Sequence, residues 1–261
     1  MLKKILAVLA FVVVVMLGTT AYLYLKPIET ASQPIEAMPL VIESDALHVE
    51  EVAAVTAETS TETAATTAAT IETVTAPDAS TASAAILFEI VPVESEVRFI
   101  IDEVLNGIPT TVVGTTDQVA GQLAVDTANV DATQIGVIQI NARTLATDSD
   151  MRNRAISNRI LYTDDYEYIT FTPTAITGLP ESVNVGDVLT FQVTGDLSIR
   201  EVTQSVTFEM QITAVAENRL EGSATTTIRY ADFDISIPNV PSVTGVADTV
   251  SLEIDFAAVP A

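Results

Sequence analysis

Between residues 188 and 199 the chain reads VLTFQVTGDLSI, and its apolar residues fall on alternate positions. Leu189, Phe191, Val193, Leu197 and Ile199 share one face with Gly195, while Thr190, Gln192, Thr194, Asp196 and Ser198 take the other. A period of two marks extended backbone with one buried and one wetted face, because successive side chains point to opposite sides. The next run repeats it: Val206, Phe208, Met210 and Ile212 face one way, and Thr207, Glu209, Gln211 and Thr213 the other. The same alternation occurs at Val97-Phe99-Ile101, Leu123-Val125, Ile138-Ile140, Ile169-Phe171, Ile228-Tyr230 and Val250-Leu252-Ile254-Phe256.

This pattern confines residues 86–261 to an all-β class. Neighbouring strands are joined by short punctuation such as Arg200-Glu201 and Glu217-Asn218, and no helical stretch is long enough for a βαβ crossover. The sheet is therefore expected to be antiparallel. About eight strands suit a sandwich or a closed barrel. The one interruption, Asp150 to Tyr162, reads as a short helix or ordered loop and holds three of the domain's eight Arg.

Two other segments precede the β domain. Residues 1–26 hold three bases and no acid, and residues 27–85 hold ten acids and no base. Ile5 to Leu25 is uncharged; at about 1.5 Å per residue it reaches roughly 31 Å, close to the ~30 Å hydrocarbon core of a bilayer. Lys3 and Lys4 precede it and an acidic stretch follows, so the positive-inside rule places the N-terminus in the cytoplasm. Residues 1–26 are thus expected to be a transmembrane signal-anchor. The rival is a cleaved signal peptide with an apolar region from Ile5 to Leu17 and a small-residue site at Thr19-Thr20-Ala21. Either reading puts residues 27–261 outside the cytoplasm, periplasmic or extracellular when anchored and secreted when cleaved.

Residues 27–85 are rich in Thr, Ala, Glu and Pro, show no sustained period, and are expected to be a disordered spacer spanning roughly 40 Å end to end. The only histidine, His48, falls there and is read as incidental.

The net charge of −24 argues against nucleic acid as a partner, since phosphates would repel such a chain. The absence of Cys excludes disulfides, thiolate nucleophiles, Cys-ligated zinc and lipidated cysteine. Without His or Cys in the β domain, Ser-His and Cys-His catalysis is unavailable there. No enzyme activity, cofactor or metal site is expected.

The stretch Thr194-Gly195-Asp196-Leu197-Ser198-Ile199, with Val202-Thr203 and Val206-Thr207-Phe208-Glu209, resembles a hairpin characteristic of the YceI family of polyisoprenoid-binding proteins. Thr147, Arg152 and Ile156, followed by Tyr166 and Thr170-Phe171, resemble that family's region preceding the hairpin. Ala231-Asp232-Phe233-Asp234-Ile235 resembles its last motif. The three pieces occur in the family's order over roughly residues 86–258. The chain departs from the pattern at Asn153, Ala155 and Glu167, where the family carries Asp, His and Pro, and it lacks the family's early histidines.

The resemblance implies a lipocalin-like barrel whose interior holds a long apolar chain. Burying such a chain gains about 0.8 kcal/mol per methylene before ordering costs. On this reading the lipid-binding positions are Phe99, Ile101, Leu123, Val125, Ile138, Ile140, Phe171, Phe191, Val193, Phe208, Met210 and Phe233. Arg152, Arg154 and Arg159 are candidates for a head group, because arginine offers a planar fork of donors; pairing with Asp148, Asp150, Asp164 and Asp165 is the competing role. The expected partners are an isoprenoid or other amphiphilic lipid, the membrane through the N-terminal helix, and a second copy of the chain in a homodimer. The alternative is a structural or adhesive surface domain on an acidic stalk, with the same apolar residues packed into a solid core.

Overall fold

The computed structural model describes residues 26–40, 85–127 and 129–261. The expected membrane segment, Ile5 to Leu25, and most of the expected spacer lie outside the described residues. Among the described residues no helix is long and apolar enough to cross a membrane.

Thirteen strands form one sheet: β1 (Ile86–Ile90), β2 (Glu96–Leu105), β3 (Ile108–Thr116), β4 (Val119–Ala120), β5 (Gln122–Val125), β6 (Gln134–Ile135) and β7 (Ile138–Asn141) in the first half. The second half supplies β8 (Tyr168–Thr177), β9 (Val188–Ile199), β10 (Val202–Ala216), β11 (Arg219–Arg229), β12 (Val243–Thr244) and β13 (Thr249–Pro260). Every ladder is antiparallel.

The long strands β8 to β11 follow one another as hairpins, and β13 returns beside β11. Two strands then share β13, which pairs with β2 through Ser251–Asp255 and with β1 through Ala258–Pro260. β3 pairs with β2, and two residues later β4 pairs with β7. The sheet therefore curls until its two ends meet. The meeting is slight: two residue pairs between β4 and β7, and a single bridge from Thr115 to Ala146. The expected closed barrel of about eight strands is instead a curled sheet of thirteen, several of them only two residues long.

The two-residue turns lie where the sequence places them. Ile199 opposes Val202 across Arg200-Glu201, with Arg200 in the left-handed region at φ 57°. Pro173 stands within an interior strand, where it cannot donate a ladder hydrogen bond; the β8–β9 register shifts immediately after it. Asp150–Ala155 forms the one α-helix among the described residues, α1, and Ile156–Ile160 continues it as a wider turn. The Ser149 hydroxyl accepts from the Arg152 backbone N–H at the start of α1, and Asp150 sits in the first turn, where a negative charge is favoured.

The spacer expectation meets a difference at its start. Residues 26–40 are not free but run as an extended strap along the domain. The Lys26 ammonium pairs with Asp164, and its carbonyl accepts from Asn158 Nδ2. The Ser32 backbone N–H and hydroxyl donate to the two Glu167 carboxylate oxygens at 2.8 and 2.7 Å. Arg143 reaches Glu29 as well as Glu167. Ile35 is buried, and the Leu40 N–H donates to Gln122 Oε1.

Candidate functional site

The inward faces of the curled sheet do not fill the space they enclose. A cavity of about 700 Å³ remains, within the range of small-molecule sites. Its wall is built by strand parity. On β2, Val97, Phe99, Ile101, Glu103 and Leu105 point inward; on β9, Val193, Leu197 and Ile199 do so, and on β10, Phe208 and Met210. The lining runs from fully buried Leu123 and Val193 to Met151, which is 70 % exposed on α1. The cavity thus reaches solvent beside α1.

The opposite end is packed shut. Phe88, Phe191, Ile212 and Leu220 belong to the same hydrophobic cluster but do not line the cavity. Phe171 and Phe208 meet inside, edge to face, with centroids 4.9 Å apart, a geometry worth about 0.5–1.5 kcal/mol beyond the area buried.

Of the twelve positions expected to hold lipid, nine line the cavity: Phe99, Ile101, Leu123, Ile138, Ile140, Phe171, Val193, Phe208 and Met210. Val125 packs against the core beyond the wall, Phe191 lies in the closed end, and Phe233 is buried outside the lining. Of the three arginines, Arg152 lines the cavity, whereas Arg154 is exposed on α1 and Arg159 lies on the following turn, both away from the wall.

Arg152 is held by carboxylates: Nη1 donates to Asp148 Oδ1 at 2.5 Å and Nη2 to Glu103 Oε1 at 3.1 Å. The pairing anticipated with Asp148 is therefore made, and Glu103 joins it. Glu103 was legible from parity alone, since it falls two residues after Ile101 on the apolar face of β2.

A further part of the wall was not anticipated. Ile235, Ile237, Pro238, Val240 and Val246 come from the segment between β11 and β13 and cover the cavity. Their signal was a run of branched residues and prolines without alternation, which parity reading passes over. Asn153, where the resemblance expected Asp, accepts from both the Thr147 backbone N–H and its hydroxyl at 2.7 Å, tying the approach loop to α1.

Comparison with known proteins follows the same outline. The family model described as YceI-like domain matches residues 88–258. A polyisoprenoid binding domain from Saccharophagus degradans, implicated in plant cell wall breakdown, superposes with a TM-score of 0.54 at 15% identity over 67% of this chain and 99% of that one. BcnA of Burkholderia cenocepacia aligns with a TM-score of 0.49 at 20% identity, covering 64% of this chain and 98% of that one. A Campylobacter jejuni YCEI protein aligns with a TM-score of 0.44 at 16% identity, covering 57% and 84%. No curated protein matches the chain. At 15% identity the first likeness shows the fold and no more.

Proposed function

The chain belongs to the YceI-like domain family, and from that premise we propose that its cavity holds the apolar chain of an isoprenoid or other amphiphilic lipid. The observation that carries this reading is the unfilled apolar cavity of about 700 Å³, packed shut at one end and reaching solvent at the other. A solid-core surface domain would bury Phe99, Ile140 and Met210 against one another. Here they border a void, whose lining has forfeited contacts that a bound hydrocarbon would restore.

The same reading places the domain outside the cytoplasm, tethered by Ile5 to Leu25. The support is the charge asymmetry of the sequence: Lys3 and Lys4 before the apolar run, ten acids and no base after Lys26 and up to residue 85.

Native mass spectrometry of the full chain, extracted from membranes in mild detergent, tests the lipid reading. The expected result is a tightly held species of long-chain lipid mass that organic solvent removes. A chain that repeatedly emerges empty and takes up no added polyprenol overturns it.

A further inference from the structure

Among the described residues, three charged side chains face the cavity: Glu103, Asp148 and Arg152. Two are acids and one is a base, and the base is already engaged. Arg152 is clamped between Asp148 and Glu103, with Thr147 Oγ1 at 3.5 Å as a third acceptor. Arg98 and Glu253, at the opposite parity on β2 and β13, face outward, where Arg98 donates to Glu96, Glu253 and Asp255 together. Glu103 Oε1 accepts from Arg152, while Glu103 Oε2 has no partner among the described residues.

We infer that this cavity selects amphiphiles whose polar end is uncharged and can donate a hydrogen bond, an alcohol above all, over those ending in phosphate, and that Glu103 sets the preference. The inference rests on the lipid-binding reading of the cavity.

A phosphate drawn to Arg152 would have to displace Glu103 or Asp148. Displacing Glu103 strands a carboxylate that is only 10 % exposed, beside a second anion and in apolar surroundings. Removing one partner of such a pair is costly because the remaining charge is left uncompensated. A hydroxyl meets no such conflict. It donates to Glu103 Oε2, leaves the Arg152 clamp intact, and places its chain along the wall below.

The test compares geranylgeraniol with geranylgeranyl phosphate, identical in chain, on the full-length protein in mild detergent by native mass spectrometry and displacement of a fluorescent fatty-acid probe. The alcohol is expected to bind at least about tenfold more tightly, the ratio that one uncompensated interaction of this kind produces. Glu103→Gln should narrow that ratio at least about threefold, chiefly by strengthening the phosphate, since one lining anion is gone. Asp148→Asn should act in the same direction. Its side chain is 86 % exposed, so this variant keeps the test open if Glu103→Gln fails to fold. Equal or tighter binding of the phosphate by the natural chain overturns the inference, as does an unchanged ratio in both variants. Failure of both ligands to bind is a different result, which removes the lipid reading itself.

Discussion

Gly195 on β9 and Phe171 on β8 occupy adjoining space so closely that a Cβ on the glycine would stand 2.7 Å from the phenyl Cζ. The same Cβ would lie 2.5 Å from the Thr172 carbonyl oxygen, which belongs to a paired neighbouring strand and cannot swing aside. Gly195→Ala is therefore expected to destabilise the domain by about 1–3 kcal/mol through overpacking. Gly114→Ala makes the informative contrast. The three atoms nearest to its Cβ all belong to the ring of Phe99, which borders the cavity and has room to turn. Urea unfolding of both variants should rank Gly195→Ala as the more damaging; the reverse order would mean that the ring, rather than the backbone oxygen, is the rigid element.

Much of this arrangement was readable from alternation, and the rest had specific reasons for escaping it. Strands β9, β10 and β13 show apolar residues at every second position and form where the pattern placed them, and Ile169-Phe171 falls on β8; of the pair Ile228-Tyr230 only Ile228 lies on β11, since Tyr230 opens a 3-10 turn. β3 carries the same geometry with small and polar inward residues: Val112, Gly114 and Thr116 are buried, and only Val112 is a large apolar one. The Phe99 ring occupies the space beside Gly114, so this inward position carries no apolar side chain and no signal. Asn106-Gly107, both at positive φ between β2 and β3, does carry a hairpin signature, one that hydrophobic period does not use. The nine cavity positions follow from parity, whereas Phe191 shares that parity and yet lies in the closed end, because alternation fixes the face and not the height along the strand. The strap was hidden for another reason. Residues 26–40 are held by Glu167, Arg143 and Asp164, all more than 100 residues away, and nothing local announces such partners.

If the space beside β11 is where lipid sits, filling it should abolish binding without harming the fold. Ala224 faces inward between Met210 and Ile254 and lines the cavity. Ala224→Leu directs three further carbons into the void, so the usual overpacking penalty is reduced and stability should change by less than about 1 kcal/mol. Uptake of added polyprenol should fall at least about tenfold. Leu220→Ala, at the packed end, should do the opposite, costing about 2–5 kcal/mol. Thermal melts with lipid mass spectrometry on both variants check the pair; an Ala224→Leu protein that still takes up polyprenol like the natural chain would put the ligand elsewhere.

Residues 86–261 carry 25 acids against eight arginines, a net charge of −17. Such a surface is repelled by anionic headgroups, so the proposed anchor, Ile5 to Leu25, rather than surface electrostatics, is expected to hold the chain at a membrane. Deleting residues 1–25, which leaves Lys26 in place on Asp164, should abolish co-sedimentation with phosphatidylserine vesicles at low salt. Tight binding of the truncated chain would show that another part of the protein touches lipid surfaces.

Glu167 determines how the strap responds to pH. Burial pushes its carboxyl up, but the Ser32 N–H and hydroxyl, Asn141 Nδ2 and the charge of Arg143 together outweigh this and hold it below the usual 4.5. A carboxylate whose value is depressed in the folded state stabilises that state fully above its ordinary value, and the contribution is lost as pH falls through the lowered one. Strap docking should therefore be intact at neutral pH and weaken only below about pH 4.5, when protonation takes acceptor capacity from Ser32 and the charge from Arg143. Hydrogen exchange at the Ser32 amide reports this directly, because that N–H is bonded to Glu167. Protection should drop on acidification, after correction for intrinsic exchange rates, while amides of the β9–β10 ladder hold. Glu167→Gln should expose Ser32 already at neutral pH and remove the acid step, since an amide accepts through one oxygen and carries no charge for Arg143. Persistence of the acid step in that variant would mean that Glu167 does not set the strap's pH response.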